Sequence, residues 1–429
     1  MHQGRSAAPH TAPLRVVLGN GSLGMQNYGD VAMLKVAINR FRHLWPDAII
    51  QVVTDRPDRL KYHCPEAQPI SVSGNLVGKF CQRGRFPGPL LQRSPPGSLL
   101  LFKLNQALQR KAPFAGSDLE AAIQQADLVV AAGGGYMNDL FSYYAYIVLE
   151  MLDAAHLRQI PTAIVGQGLG PMSLEAFKQR CRHTLPKLDM LAVREARVGP
   201  PLLRSLGVSS EKVIVTGDDA IELAYQARKP DLGDGIGVNL RVTAYSMADE
   251  NTLVQVRQVL DRSARKFQAP LIPTPISMSK GERDWKNISD LIAGTGVRSD
   301  GGRSLKTPEA LIEQVGRCRV VVTGSYHAAV FALAQGIPAV CLAKSQYYFE
   351  KFEGLVEQFG EGGIIVSMDK NLDTCLPEAI DAAWHSAEKV RSPLLTAAKR
   401  QIQCSWTGYE NLQRLVENNL RSPRLSKGA

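Results

Sequence analysis

The chain lacks paired cysteines. Cys64, Cys81, Cys181, Cys318, Cys341, Cys375 and Cys404 are scattered singly, with no C-x-x-C spacing among them. An odd, dispersed set supports neither a disulfide framework nor a zinc ribbon, and it fits a reduced, cytoplasmic protein. No metal site is expected. Also missing is any run near the roughly 20 apolar residues that span a bilayer. The most apolar helical stretch, Tyr143 to Leu152, is short and contains Glu150. Met1 to Pro13 holds one arginine and no apolar core, so it reads as a disordered tail and not as a secretory signal. Helix-turn-helix, RNP and zinc-finger patterns are absent, which argues against a nucleic-acid partner.

Acidic residues are unevenly spread. The formal charge is +10. From Ser71 to Ser117 there is no Asp or Glu, against seven cations (Lys79, Arg83, Arg85, Arg93, Lys103, Arg110, Lys111). This stretch is rich in Gly and Pro and reads as a long loop with one helix near Phe102 to Lys111. Its apolar groups, among them Phe86, Leu90 and Phe102, accompany the cations. Such a segment fits peripheral contact with an anionic inner membrane face, or a solvated basic loop.

What is present is an alternation of apolar strands and helices, the pattern of parallel, doubly wound sheets. Strands are expected at Leu14–Leu18, Ala48–Thr54, Asp127–Ala132, Pro161–Gly166, Asp189–Val193 and Val213–Thr216. A second series runs through Ile236–Leu240, Pro270–Pro273, Arg319–Thr323 and Ile337–Leu342. The polar stretch Ala227 to Gly235 separates them. The expectation is an α/β protein with two Rossmann-like domains facing a cleft, as in GT-B glycosyltransferases, followed by C-terminal helices. Its divisions are a tail 1–13, a domain 14–226 on the acceptor side, a domain 235–375 on the donor side, a helical segment 376–420 and a tail 421–429. In such folds ligands gather at the carboxyl ends of the strands.

Chemistry-bearing residues concentrate at those ends. Thr323-Gly324-Ser325-Tyr326-His327 joins a central strand to a helix that is apolar on nearly all sides. His327 is thereby fixed at a helix N-terminus, where free amides and the helix dipole suit phosphate or carboxylate. That position suits a catalytic acid or base. Arg194 and Arg241 each end a buried strand and could hold an anion with a bidentate fork, or pair with a neighbouring loop. Lys344 and Lys351 are weaker phosphate candidates. Gly19-x-Gly-x-x-Gly24 has dinucleotide-fingerprint spacing, but the loop continues through Asn27-Tyr28-Gly29-Asp30 before its helix, which argues against NAD. Asp30 stands where an N-cap belongs, so Asn27 and Asp30 read as cleft-facing or capping residues. Gly133-Gly134-Gly135 permits close backbone approach to a ligand, or a tight turn, and Asp139 follows at a helix start.

These pieces together resemble the polysaccharide pyruvyl transferase family: Asn27-Tyr28-Gly29-Asp30, Ala132-Gly133-Gly134-Gly135, Val193-Arg194-Glu195, Val238-Asn239-Leu240-Arg241, and Gly324-Ser325-Tyr326-His327 running to Gly336-Ile337-Pro338. The resemblance spans roughly residues 15 to 355. It implies phosphoenolpyruvate as donor substrate, no cofactor, and a pyruvate ketal formed on a surface glycan or its lipid-linked precursor. The family's essential histidine falls on His327. Donor contacts would fall on Arg194, Arg241, Ser325, Tyr326, Lys344 and Lys351, and acceptor contacts on Asn27, Asp30, Gly133, Gly134, Gly135 and Asp139. The chain departs from the family at Ser325, where many members carry arginine, at Glu195 for Asp, and at Val198 for Ser. The Asp-Pro-Lys that commonly follows the last strand is missing. Architecture alone also permits a nucleotide-sugar glycosyltransferase, and the departures permit a non-catalytic glycan-pathway subunit.

Overall fold

The computed structural model describes residues 12–71, 116–243, 245–279, 282, 284–293, 299–369 and 371–421. Nearly all of the basic insertion, with its expected helix and membrane contact, lies outside the described residues, as do most of both tails.

Two parallel sheets carry the fold. The first takes β1 (Arg15–Gly19), β2 (Ile49–Val53), β3 (Gln68–Ile70), β4 (Leu128–Ala131), β5 (Gly134–Met137), β6 (Thr162–Leu169), β7 (Met190–Val193) and β8 (Val213–Val215). Its order is β3-β2-β1-β4-β6-β7-β8, with β5 paired on β6 beyond the end of β4. The second takes β9 (Gly235–Asn239), β10 (Leu271–Pro273), β11 (Cys318–Thr323), β12 (Ala339–Ala343) and β13 (Gly363–Ser367), in the order β10-β9-β11-β12-β13. Every strand pairing is parallel, and the central strands β4, β6, β7, β9 and β12 are buried throughout, which is why they read as unbroken apolar runs. Both sheets reverse direction at their first strand, β1 and β9, and such switch points are where doubly wound folds bind ligands.

The final helix, Leu372–Arg421, joins the halves. Leu376, Ile380 and Ala383 pack beneath the second sheet, Leu394 and Ala398 lie in the core between the halves, and Tyr409, Leu412 and Val416 close the core under the first sheet. A second tie runs along the cleft. The Tyr28 amide donates to the Ile276 carbonyl at 2.9 Å, the Met278 amide donates to the Gln26 carbonyl at 2.8 Å, and Asn27 bridges Ser277.

Among the elements not anticipated are the helix Pro57–His63, the strands β3, β5 and β13, and the helix Gln346–Phe359. A further difference is a correction. The first helix runs Tyr28–Leu44, and its cap is Asn27, whose Oδ1 accepts from the Gly29 and Asp30 amides at 3.0 and 3.3 Å. Asp30 is therefore inside the first turn, where its charge still suits the helix dipole.

Candidate active site

A cavity of about 380 Å³ opens between the carboxyl ends of the two sheets. From the first half it is lined by Gly21, Ser22, Gly24, Gln26, Asn27, Asp30, Gly135 and Arg194. The second half contributes Arg241, Glu282, Ser325, Tyr326, His327 and Lys351. Tyr136, Phe141, Tyr144, Tyr245, Tyr347 and Tyr348 complete the wall. Phe141 and Tyr245 meet edge-on across the cleft with ring centroids 5.9 Å apart.

His327 is placed by local chain geometry. Thr323 ends β11, its Oγ1 accepts from the Ser325 amide at 2.8 Å, and the Gly324 amide donates to the Asn239 carbonyl at 2.9 Å. This turn delivers Ser325 as the cap of the helix Tyr326–Ala334, all nine residues of which are buried. The Ser325 side chain makes no capping bond, which leaves the helix-start amides to whatever enters the cavity. His327 is 7% exposed, and its buried Nε2 has no hydrogen-bond partner among the described residues. On its other side lies Gly29, where a Cβ would stand 2.0 Å from Cγ and Nδ1 of the ring. The imidazole thus rests on the bare backbone of the opposite half.

The two arginines differ. Arg241 uses Nε and Nη2 on the two Asp284 oxygens at 3.1 and 2.8 Å, and its Nη1 lies 3.6 Å from Glu282. Asp284 also accepts from the Ile276 and Ser277 amides, so Arg241 mainly holds the loop that forms the cleft tie. Arg194 lies over Tyr326, its Cζ 4.0 Å from the ring centroid, and among the described residues its one ion contact is Nη1 to Asp218 at 3.4 Å. A Cβ on Gly168 would meet its Cζ at 2.5 Å, so bare backbone makes room for the guanidinium. Among the described residues the rest of its fork meets no carboxylate.

Lys351 reaches the cavity from the helix Gln346–Phe359, its Nζ 4.0 Å above the Tyr347 ring. Burial, with Arg194 adding to it, holds this amine well below the usual ammonium range. Asp30 faces it. Burial pushes the Asp30 carboxyl above its ordinary value against the pull of His327 and Lys351. A carboxyl pushed up by burial, an imidazole and a depressed lysine amine therefore share one wall, an arrangement common at catalytic sites.

Other expected residues stand apart. Lys344 pairs with Asp249 at 3.4 Å toward the surface, outside the cavity. Asp139 is turned away as well, accepting from the amide and hydroxyl of Ser173, both at 2.6 Å. Of the glycine run, only Gly135 lines the cavity. Gly133 is where Met33 of the first helix packs, and the Gly134 carbonyl accepts from Gln167 at 2.8 Å. Glu195, the departure from Asp, accepts from the Val198 and Gly199 amides, both at 2.8 Å, and so starts the helix Gly199–Ser205. Asp218, Glu282 and the tyrosine wall were missed. The end of β8 was a signal for Asp218, since Arg194, Arg241 and His327 also follow the ends of strands.

Comparison with known proteins decides the family. The model of the polysaccharide pyruvyl transferase family matches residues 27–346, well over half of the chain, from the Asn27 cap to the helix that carries Lys351. The chain belongs to that family. It is therefore a transferase of polysaccharide biosynthesis with a glycan as acceptor. No curated protein matches the sequence. Among solved structures, it is similar to a glycosyltransferase from Rickettsia africae (TM-score 0.53, 11% identity, 96% of this chain and 99% of that one). It is similar to a UDP-GlcNAc 2-epimerase from Neisseria meningitidis bound to UDP-GlcNAc (TM-score 0.52, 12% identity, 95% and 99%). A UDP-GlcNAc 2-epimerase from Methanocaldococcus jannaschii is also similar (TM-score 0.52, 13% identity, 91% and 99%). At these identities the likeness is one of fold, and the fold of this family member is GT-B-like. Among the described residues, no helix is long and apolar enough to cross a membrane, and no cluster of His, Cys, Asp and Glu could hold a metal ion.

Proposed function

We propose that this family member transfers the pyruvyl group of phosphoenolpyruvate to two hydroxyls of one sugar, releasing phosphate and forming a pyruvate ketal. The sugar belongs to a surface polysaccharide or its lipid-linked precursor at the cytoplasmic membrane face. The observation that carries this reading is the convergence of Arg194, Lys351 and the helix-start amides on the wall that holds Asp30 and His327. A small trianion needs cations and amides. An enol carbon needs a proton.

In this reaction carbon 3 takes a proton, which makes carbon 2 electrophilic. One hydroxyl attacks carbon 2, the bond from carbon 2 to the phosphate oxygen breaks, and the second hydroxyl closes the ketal. The two hydroxyl protons balance the one delivered to carbon 3 and the one carried off with phosphate. Asp30 and His327 are the groups able to move protons here: one supplies carbon 3 and the other relieves the attacking hydroxyl. Arg194 spreads over the carboxylate or phosphate as a planar fork. The carboxylates Asp30 and Glu282, with Ser22, Ser277 and Ser279, give the acceptor end hydrogen-bonding groups for a polyhydroxylated ring.

The direct test measures phosphate release from phosphoenolpyruvate in the presence of a matched glycan acceptor, with thermal shift against a panel of nucleotide sugars alongside. Acceptor-dependent release is expected. Stabilisation by a nucleotide sugar without release would favour the glycosyltransferase reading, and no release with any acceptor would leave a non-catalytic subunit.

Two expectations follow for the cations. Arg194→Lys keeps charge and loses the fork, so the apparent donor constant should rise by about tenfold or more. Arg241→Lys breaks the Asp284 fork and should instead lower the melting temperature, because the buried carboxylate loses its bidentate partner. An unchanged donor constant in Arg194→Lys would return that residue to a structural role.

Donor binding should also take up a proton. Lys351 is depressed in the free protein, and an arriving polyanion favours its charged form. Uptake therefore occurs between the depressed value and the ordinary lysine range. Calorimetric titrations in two buffers of different ionisation enthalpy would read the proton directly, and identical enthalpies in both would refute it.

A further inference from the structure

Asp218 is a buried carboxylate that the reaction above leaves unused. It stands in the turn Thr216-Gly217-Asp218-Asp219 after β8, with its side chain fully buried. Oδ1 accepts from the Ala220 amide at 2.9 Å. Oδ2 lies 3.4 Å from Arg194 Nη1 and 3.5 Å from His327 Nε2, the nitrogen that has no hydrogen bond. Burial alone would push this carboxyl up, yet His327 and then Arg194 hold it below its ordinary value, so it stands there as an anion.

The turn is held from behind. The neighbouring Asp219 accepts from Arg40 Nη1 at 2.8 Å, Ser405 Oγ at 2.7 Å and Tyr409 Oη at 2.9 Å. Gly217 has φ +84° and meets Gln401 of the final helix, where a Cβ would come within 2.8 Å. Asp219 therefore fixes the turn to the first and last helices, and Asp218 projects from it toward the cavity groups. A contact at 3.5 Å is of the kind that tightens when substrate arrives.

We infer that Asp218 is a positioning residue that orients the His327 imidazole and the Arg194 guanidinium, one from each half of the molecule, toward the donor. With the Nε2 proton directed at Asp218, Nδ1 is the nitrogen that exchanges a proton with substrate. The same carboxylate turns one edge of Arg194 and leaves its other edge to the donor. This inference rests on the pyruvyl-transfer reading.

The test compares phosphate release from phosphoenolpyruvate plus acceptor for the full chain, Asp218→Asn, His327→Gln and the double variant. Asp218→Asn should lower kcat by roughly 10- to 100-fold, as loss of a histidine-orienting carboxylate does elsewhere. It should also raise the apparent donor constant several-fold through Arg194. In the His327→Gln background the kcat loss should vanish, because its target is gone, while the change in donor constant persists. A merely structural role would give the same kcat loss in both backgrounds. That result, or unchanged kcat in Asp218→Asn, overturns the inference. Should Asp218→Asn not fold, Asp218→Ser keeps a partner for the Ala220 amide and carries the same comparison. Failure of both to fold would assign Asp218 to the fold and overturn the inference. Absence of phosphate release by the unaltered chain would sink the transfer reading, and this inference with it. That outcome is distinguishable because the parent itself is silent.

Discussion

Phosphate release from phosphoenolpyruvate should fall by roughly two to four orders of magnitude in His327→Ala, the size expected when a positioned acid or base is removed. The fold should persist. The imidazole stands 3.5 Å from the buried Asp218, and after its removal Arg194 at 3.4 Å and the Ala220 amide at 2.9 Å still hold that carboxylate. Alanine is also the best helix former, and the other eight residues of the helix Tyr326–Ala334 remain buried. Melting temperature and far-ultraviolet circular dichroism should therefore match the parent while turnover collapses. Near-normal turnover in a folded variant would remove His327 from the chemistry. A melting temperature lowered by many degrees would make it a packing residue.

The histidine was legible because its flanks are extreme. A run of apolar residues on both sides of Thr323-Gly324-Ser325-Tyr326 leaves one way for a parallel sheet to place the turn. The buried central strands were legible for the same reason, since sheets covered on both faces leave no polar alternation to confuse them, while β3, β5 and β13 were not. What failed to show is what depends on distant partners. Asn27 and Asp30 are equally good capping types. The pairing of Asn27 with Ser277 on the other half goes with the former, and nothing local announces that contact. Lys344 directly follows β12 and looked well placed, yet the chain turns outward there. The helix Gln346–Phe359 then brings Lys351 back over Tyr347, so the later lysine reaches the cavity. Asp218 and Asp219 stand between the short strand β8 and the helix Ala220–Gln226, and nothing local marks what either one meets. Their separate partners, His327 and Arg40, lie more than a hundred residues away in opposite directions along the chain.

Gly29 yields the other large effect, through sterics alone. Its position is helical, so alanine there is favourable for the backbone by roughly 0.5–1 kcal/mol relative to glycine. Any loss must then come from the added methyl group. That group would stand 2.0 Å from Cγ and Nδ1 and 2.6 Å from Cε1 of His327, well inside contact distance. The imidazole cannot slide along its own helix, which is buried throughout. Either the ring rotates away from Asp218 and the donor, or the two halves separate at the tie between Gln26–Tyr28 and Ile276–Met278. Both outcomes misplace the reacting nitrogen by an ångström or more, a displacement that costs on the order of 100-fold in rate. Gly29→Ala should therefore lower turnover by about 100-fold or more in a folded protein. In a His327→Ala background the ring is absent, and the methyl group occupies the space it leaves. There Gly29→Ala should cost no further activity, and it should raise the melting temperature through helix propensity. Independent, additive losses in the two backgrounds would show that Gly29 serves something other than the histidine resting on it.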